Sequence, residues 1–223
     1  LKKFKLDFLI IIKFNKKFSS QSAEMFIKKI IFQKTKCKYL YVSKNFKFGF
    51  KRQGNISTLK KFEKKYNFRN IVTKPFKKNN KTISSTFIRK KLSLGKIEEV
   101  NRLLGRNWCV VGKVIKGQRR GRKIGFPTCN LKLNDYVVPK CGVYAVKVKS
   151  DSFYKNGVAN VGYRPTFNGQ KLLLETNIFG INKNLYNKVI GINFKKFIRP
   201  EKKFRNLKYL KKQIKLDIKQ ASK

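Results

Sequence analysis

The chain has 223 residues, enough for one large domain or two modest ones with real cores. A hydrophobic share of 41% with 20 phenylalanines excludes a disordered basic tail, and no run approaches the roughly 18 apolar residues of a membrane span. Against 10 Asp and Glu stand 57 Lys and Arg, a net charge of +47, yet the lysines are scattered through every segment beside many Phe, Ile, Asn and Tyr.

A/T-rich codons produce that pattern without selection for a polyanion, so neither a specific nucleic-acid partner nor a membrane is expected. Phosphorylated small molecules are still attracted by the field. The four cysteines, Cys37, Cys109, Cys129 and Cys141, form no C-x-x-C pair, and there is no histidine to complete a zinc site. Free thiols in a reducing cytoplasm are expected.

In chain order, Leu6 to Phe14 reads as a buried parallel strand. Ser22 to Phe32 reads as a helix with Phe26, Ile27, Ile30 and Ile31 on one face. Tyr39 to Val42 is a second strand, Thr58 to Tyr66 a basic helix and Ile71 to Val72 a short third strand. Asn79-Asn80-Lys81 is a polar loop. Ser84, Ser85 and Thr86 offer capping hydroxyls to a helix carrying Phe87, Ile88 and Leu92, and a second helix, Ile97 to Leu104, closes at Gly105. This β-α alternation predicts a parallel sheet with crossover helices over residues 1–104.

From Trp108 the period changes to two. Strands are predicted at Trp108–Ile115, Gly142–Val148, Gly157–Val161, Leu172–Phe179 and Val189–Phe197. Asn206 caps a final helix with Leu207, Leu210, Ile214, Ile218 and Ala221 along one face. Residues 105–223 thus read as an antiparallel β-structure, a small barrel, finished by one helix.

Three segments carry chemistry. The first runs from Gly117 through Gly121, Arg122 and Gly125 to Pro127, Thr128 and Asn130. It fails both the Walker A loop and the G-x-G-x-x-G fingerprint. Three glycines spaced by four let backbone N–H groups approach an anion, and Arg122 can bind phosphate oxygens bidentately. Thr128 and Asn130, two apart on an extended segment, present oxygens to the same side, as a hard cation such as Mg²⁺ requires. A glycine-rich hairpin with its turn residues satisfied accounts for the same pattern. The second is Glu175, a rare carboxylate set among Leu172, Leu173 and Leu174. It is either a base placed for proton abstraction or a surface acid paired with a lysine. The third is Ile198-Arg199-Pro200-Glu201, an ion-paired loop or one wall of a ligand site.

Together these segments resemble a riboflavin kinase. The matching strings are GRKIGFPTCNL, CGVYAV, GVANVGYRPTF, LETNIF, LY at 185–186 and IRPEKKF, in order over Trp108 to Lys223. The resemblance implies a six-stranded Greek-key β-barrel that moves the γ-phosphate of ATP onto the 5′-hydroxyl of riboflavin, giving FMN. It implies that Thr128 and Asn130 hold Mg-ATP, that the Gly117–Gly125 loop covers the nucleotide, and that Glu175 activates the hydroxyl. Arg199 and Glu201 belong to the flavin-side loop. Cys129 stands where the family often has Ala, and sensitivity to thiol reagents is expected from it.

The first half resembles the partial, Rossmann-like adenylyltransferase module fused to this kinase in bifunctional bacterial enzymes that also make FAD. The matching strings are NFKFGFKRQGN at 45–55 and ISSTFIRKKL at 83–92, with Ser84, Ser85 and Arg89 at a helix N-terminus, a natural place for phosphates. Asn45 stands where that family tends to have Asp. Adenylyl transfer there uses an H-x-G-H-type motif, and this chain has no histidine. The chain also opens on Leu1, at what reads as the module's middle strand, so the first β-α unit is expected upstream and FAD synthesis is not expected of these residues. The alternatives are a full bifunctional FAD synthetase completed by upstream residues, or a basic RNA-binding barrel. The latter needs exposed aromatics interleaved with cations on adjacent strands, and the Phe residues here are spread through both halves.

Overall fold

The computed structural model describes residues 6–78, 81–117, 119–133, 136–166 and 169–222. The chain folds into two compact units, Leu1–Thr82 and Ile83–Lys223.

The first unit contains α1 (Lys16–Ser19), α2 (Ala23–Phe26) running on as a π-helical segment (Ile27–Lys34), β1 (Tyr39–Ser43), α3 (Ile56–Phe62) and β2 (Arg69–Thr73). A two-residue ladder follows, β3 (Lys77–Lys78) with β4 (Lys81–Thr82). The predicted loop residues Asn79 and Asn80 lie outside the described residues. Strands β1 and β2 pair in parallel, Tyr39 opposite Arg69 through Ser43 opposite Thr73. Ser22 caps α2, and Ile27 and Ile31 of the predicted apolar face are buried against Val42, Leu59, Tyr66 and Phe68. Helix α3 begins two residues before the predicted Thr58. Asn55 forms a reciprocal capping box with that threonine, which makes Thr58 the third helical residue. These features fit a partial α/β module.

The expectation of a buried strand at Leu6 to Phe14 is corrected. The segment is not a strand, and Phe8 and Ile11 are 89% and 83% exposed. An apolar run becomes a buried parallel strand only by pairing with neighbours, and among the described residues β1 and β2 pair with each other alone.

The second unit opens with α4 (Ser85–Ser93) and α5 (Ile97–Leu104). Then come β5 (Cys109–Lys113), α6 (Arg120–Lys123), β6 (Cys129–Lys132), β7 (Gly142–Lys149), β8 (Tyr154–Thr166), β9 (Gly169–Ile178), β10 (Val189–Arg199) and α7 (Leu207–Ala221). The strands form one six-stranded sheet in the order β5-β10-β7-β8-β9-β6, with each neighbouring pair antiparallel. A bridge between Ile115 and Asn130 brings the two edges together, so the sheet is a nearly closed Greek-key barrel. Closure removes most of the exposed sheet edge.

Alternation along the strands fills the barrel. Leu131, Leu174 and Val161 lie side by side in register, fully buried, and Tyr144 and Phe194 stack edge to face at 5.0 Å. Leu92 of α4 and Ile97 and Val100 of α5 enter the same core. Asn101 staples α5 to the barrel, donating to the Phe194 carbonyl at 2.8 Å and accepting from the Trp108 N–H at 2.7 Å. The two helices therefore pack as part of the barrel unit.

On α7 the predicted face is only partly buried, and Leu207 is 61% exposed. Its most buried residue is an acid, Asp217. Arg199 grips it through Nε at 2.9 Å and Nη2 at 2.7 Å, and Gln213 adds a third donor at 2.9 Å. A bidentate, buried pair of this kind is lost as a unit, because removing one partner strands the other charge. Asp217→Ala is expected to destabilise the barrel unit by about 3–5 kcal/mol in chemical denaturation.

Candidate active site

The glycine-rich segment begins after β5. At Gly117 an added Cβ would collide with the Asn130 amide nitrogen, and at Gly121 with the Phe126 carbonyl. Gly121 also closes a tight turn by accepting from the Phe126 N–H at 2.8 Å, and Gly125 has φ +90°. Only glycine fits these positions, so the chain lies directly over Asn130 and turns back into Pro127. Arg122 and Thr128 are exposed beside it, and Asn177 donates to the Pro127 carbonyl at 2.7 Å, fixing the start of β6.

Opposite the loop runs the turn Ile181–Tyr186. Arg119 reaches across to donate to the Tyr186 hydroxyl at 3.2 Å and lies over its ring. Between them is a narrow cleft of about 50 Å³, with Arg122 and Lys183 at its mouth and Thr128, Cys129 and Thr176 on its wall.

Register assembles the rest. Asn130 on β6 is the direct partner of Glu175 on β9, which is in turn the partner of Asn160 on β8. Facing residues of paired strands point to the same side, so these three form one polar row on the outside of the barrel. The adjacent positions Cys129, Leu131, Leu174 and Thr176 point inward. The Asn130 side chain is buried, and its Oδ1 has no hydrogen-bond partner. An orphaned buried carbonyl oxygen two residues from an exposed threonine hydroxyl suits a hard cation. Among the described residues no group of three or more His, Cys, Asp or Glu could hold a metal, so such a cation must bring further oxygen ligands with it.

Glu175 pairs with Arg164 at 3.1 Å, not with a lysine. The same guanidinium reaches Glu201 at 3.2 Å, and Glu201 also accepts from Asn160 at 2.9 Å. Burial acts to lower the Arg164 pKa, but the hydrogen bonds and charges of Glu175 and Glu201 outweigh it and hold the group above its ordinary value. Arg199 is occupied by Asp217 and by the Pro200 carbonyl at 2.9 Å, so it fixes the loop that carries Glu201. Arg164, Asn160, Asn177, Tyr186 and Asp217 escaped the sequence reading. The matching strings contained the first four, but only register and folding back reveal what they touch. Asp217 hid on a helix face judged by its apolar members.

Elsewhere, Ser84 caps α4 by accepting from the Phe87 N–H at 3.2 Å, while Ser85 and Arg89 are exposed on the same helix.

The riboflavin kinase family model matches residues 104–223, and the FAD synthetase model matches residues 1–87. The bifunctional riboflavin kinase/FMN adenylyltransferase of Buchnera aphidicola from Schizaphis graminum is 43% identical, over 98% of this chain and 71% of that protein. The Haemophilus influenzae protein of the same description is 40% identical, over 99% of this chain and 72% of its own length. A crystal structure from Streptococcus pneumoniae described as a macrolide-efflux protein superposes with a TM-score of 0.81 at 30% identity, covering 92% of this chain and 66% of that one. Among the described residues here no helix is long and apolar enough to cross a membrane. The chain belongs to the bifunctional riboflavin kinase/FMN adenylyltransferase family.

The expected thiol sensitivity at Cys129 is corrected by its surroundings. Its side chain is buried, its Sγ rests on the Thr176 carbonyl at 3.4 Å, and burial pushes its pKa up to about 12. The reactive thiolate is thereby suppressed. Because the thiol ionises more readily in the unfolded chain, its contribution to stability is full below about pH 9 and is lost as pH rises toward 12. At pH 8 a chromogenic disulfide reagent is expected to leave Cys129 unmodified in the native protein and to label all four cysteines in denaturant, read by peptide mass mapping.

Proposed function

We propose that the barrel transfers the γ-phosphoryl group of ATP to the 5′-hydroxyl of riboflavin, giving FMN and ADP, with Glu175 as the base. The observation that carries this is the direct pairing of Asn130 with Glu175, which sets a metal-type oxygen beside a carboxylate on one face. The riboflavin oxygen forms its bond to the γ-phosphorus as the bond from that phosphorus to the β,γ-bridging oxygen breaks. Glu175 takes the hydroxyl proton, and the electron pair leaves with ADP.

The Gly117–Gly125 loop binds the phosphates through backbone N–H groups and Arg122, and Arg119 with Tyr186 fastens it to the facing turn. Pro127 holds Thr128 and Asn130 in place, and these two would hold Mg²⁺, which when bound neutralises phosphate charge. Arg199 and Glu201 shape the flavin-side wall. The periodicity change puts the domain boundary at 104/105, but in this reading the kinase unit extends back to Ile83, because α4 and α5 pack into the barrel core. Ser84, Ser85 and Arg89 therefore lie on that unit and serve as a phosphate-binding end of its first helix. The substrates are small molecules, no specific polynucleotide or membrane partner is invoked, and the setting is a reducing cytoplasm suited to four free cysteines.

A second reading, FMN adenylyl transfer to FAD, is favoured by the match of residues 1–87 to the FAD synthetase family. The histidine-free sequence argues against it for this chain alone. Incubation with riboflavin, Mg²⁺ and ATP is expected to yield FMN and no FAD by chromatography. Glu175→Gln is expected to slow FMN formation by about 10²–10⁴-fold. A folded wild type that makes no FMN defeats the kinase reading. Unimpaired Glu175→Gln defeats only the assignment of the base, and FAD in the product restores the second activity.

A further inference from the structure

Only 10 acids serve the whole chain, yet two of them, Glu175 and Glu201, converge on the single guanidinium of Arg164. The arrangement is built into the sheet. Asn160, Gly162 and Arg164 alternate along β8 on the outer face, the face that carries Glu175 on β9. At Gly162 an added Cβ would collide with the Glu201 carboxylate, so the missing side chain leaves a hollow that this carboxylate fills. Asn160 Nδ2 and Arg164 Nη1 both donate to Glu201 Oε1, at 2.9 and 3.2 Å, and Arg164 Nη2 donates to Glu175 Oε2 at 3.1 Å. The other end of the loop is fixed by Arg199, which holds Asp217 and the Pro200 carbonyl.

Stability does not explain the clamp. All three side chains keep about a third of their surface exposed, and pairs so placed contribute little to folding. Two carboxylates brought this close would repel without the cation between them. The shared cation makes the position of one carboxylate depend on that of the other.

We propose that Arg164 is a positioning residue for the kinase, joining the Glu201 loop to Glu175 so that riboflavin seated against the loop finds the base already in place. The inference rests on the reading of Glu175 as the base. Arg164 acts through the Glu175 carboxylate and is not itself the base. It fixes that carboxylate, and a misplaced base costs rate even when every catalytic group is present.

The test is steady-state kinetics of FMN formation by the full chain, with the melting temperature of each variant recorded separately. Arg164→Met is expected to lower kcat about tenfold or more and to raise KM for riboflavin, with KM for ATP changed less than about twofold. Arg164→Lys keeps the charge and is expected to recover part of both losses. Gly162→Ala removes no charge but displaces the Glu201 carboxylate, and it is expected to raise KM for riboflavin as Glu201→Gln does. In the double variant Arg164→Met/Glu201→Gln the losses are expected to fall well short of additive, because both act through one contact.

Arg164→Met with wild-type kcat and riboflavin KM overturns the proposal, as do fully additive losses in the double variant. Should Arg164→Met fail to fold, unchanged riboflavin KM in both Gly162→Ala and Glu201→Gln overturns it equally. Inactivity of the wild type, or full activity of Glu175→Gln, instead strikes the underlying kinase reading.

Discussion

The register of β9 between β6 and β8 is the constraint on which the rest of the barrel depends. It sets Asn130, Glu175 and Asn160 side by side on the outside, and one step along it sets Leu131, Leu174 and Val161 side by side within. Because side chains alternate with a period of two, no slip of one residue is tolerable. Such a slip of β9 would turn Glu175 and Asn177 into a core of leucine and valine, and turn Leu174 and Ile178 out of it. The hydrophobic effect that packs the barrel therefore also aligns the polar row. Site geometry and core packing share one cause.

Register also explains how much was legible in the sequence. Strands β7, β9 and β10 were readable from alternation, helix α5 from its apolar spacing and Gly105, and α7 from Asn206. Glu175 was singled out because a carboxylate among leucines is conspicuous, and Asn130 because it stands two residues from Thr128. Their adjacency was not legible. It depends on which residue of β6 lies opposite which of β9, a relation between segments about 45 residues apart. Arg164 was unreadable for the same reason, being one cation among 57 until β8 folds beside β9. Leu6 to Phe14 failed in the opposite direction. Its composition suited a strand, but strand geometry comes from a partner that composition does not supply.

Charge behaves differently at two scales. The overall excess of cations is spread through every segment of the sequence, and exposed lysines in ion pairs are individually weak. Three arginines around the site have defined partners: Arg119 on Tyr186, Arg164 between two glutamates, Arg199 on Asp217. Planar guanidinium groups with several donors can hold such geometry, and flexible ammonium groups hold it less well. In a lysine-rich chain, the choice of arginine at these positions is itself informative.

The staple at Asn101 bears on how the molecule can be divided. The change from helical to alternating periodicity suggests a cut after residue 104, yet that cut would remove the donor to the Phe194 carbonyl and the acceptor for the Trp108 N–H. It would also strip Leu92, Ile97 and Val100 from the barrel's apolar flank. The bared patch would be sticky, and a fragment starting at 105 would tend to precipitate or dimerise through it. A fragment that starts at Ile83 carries its own cover.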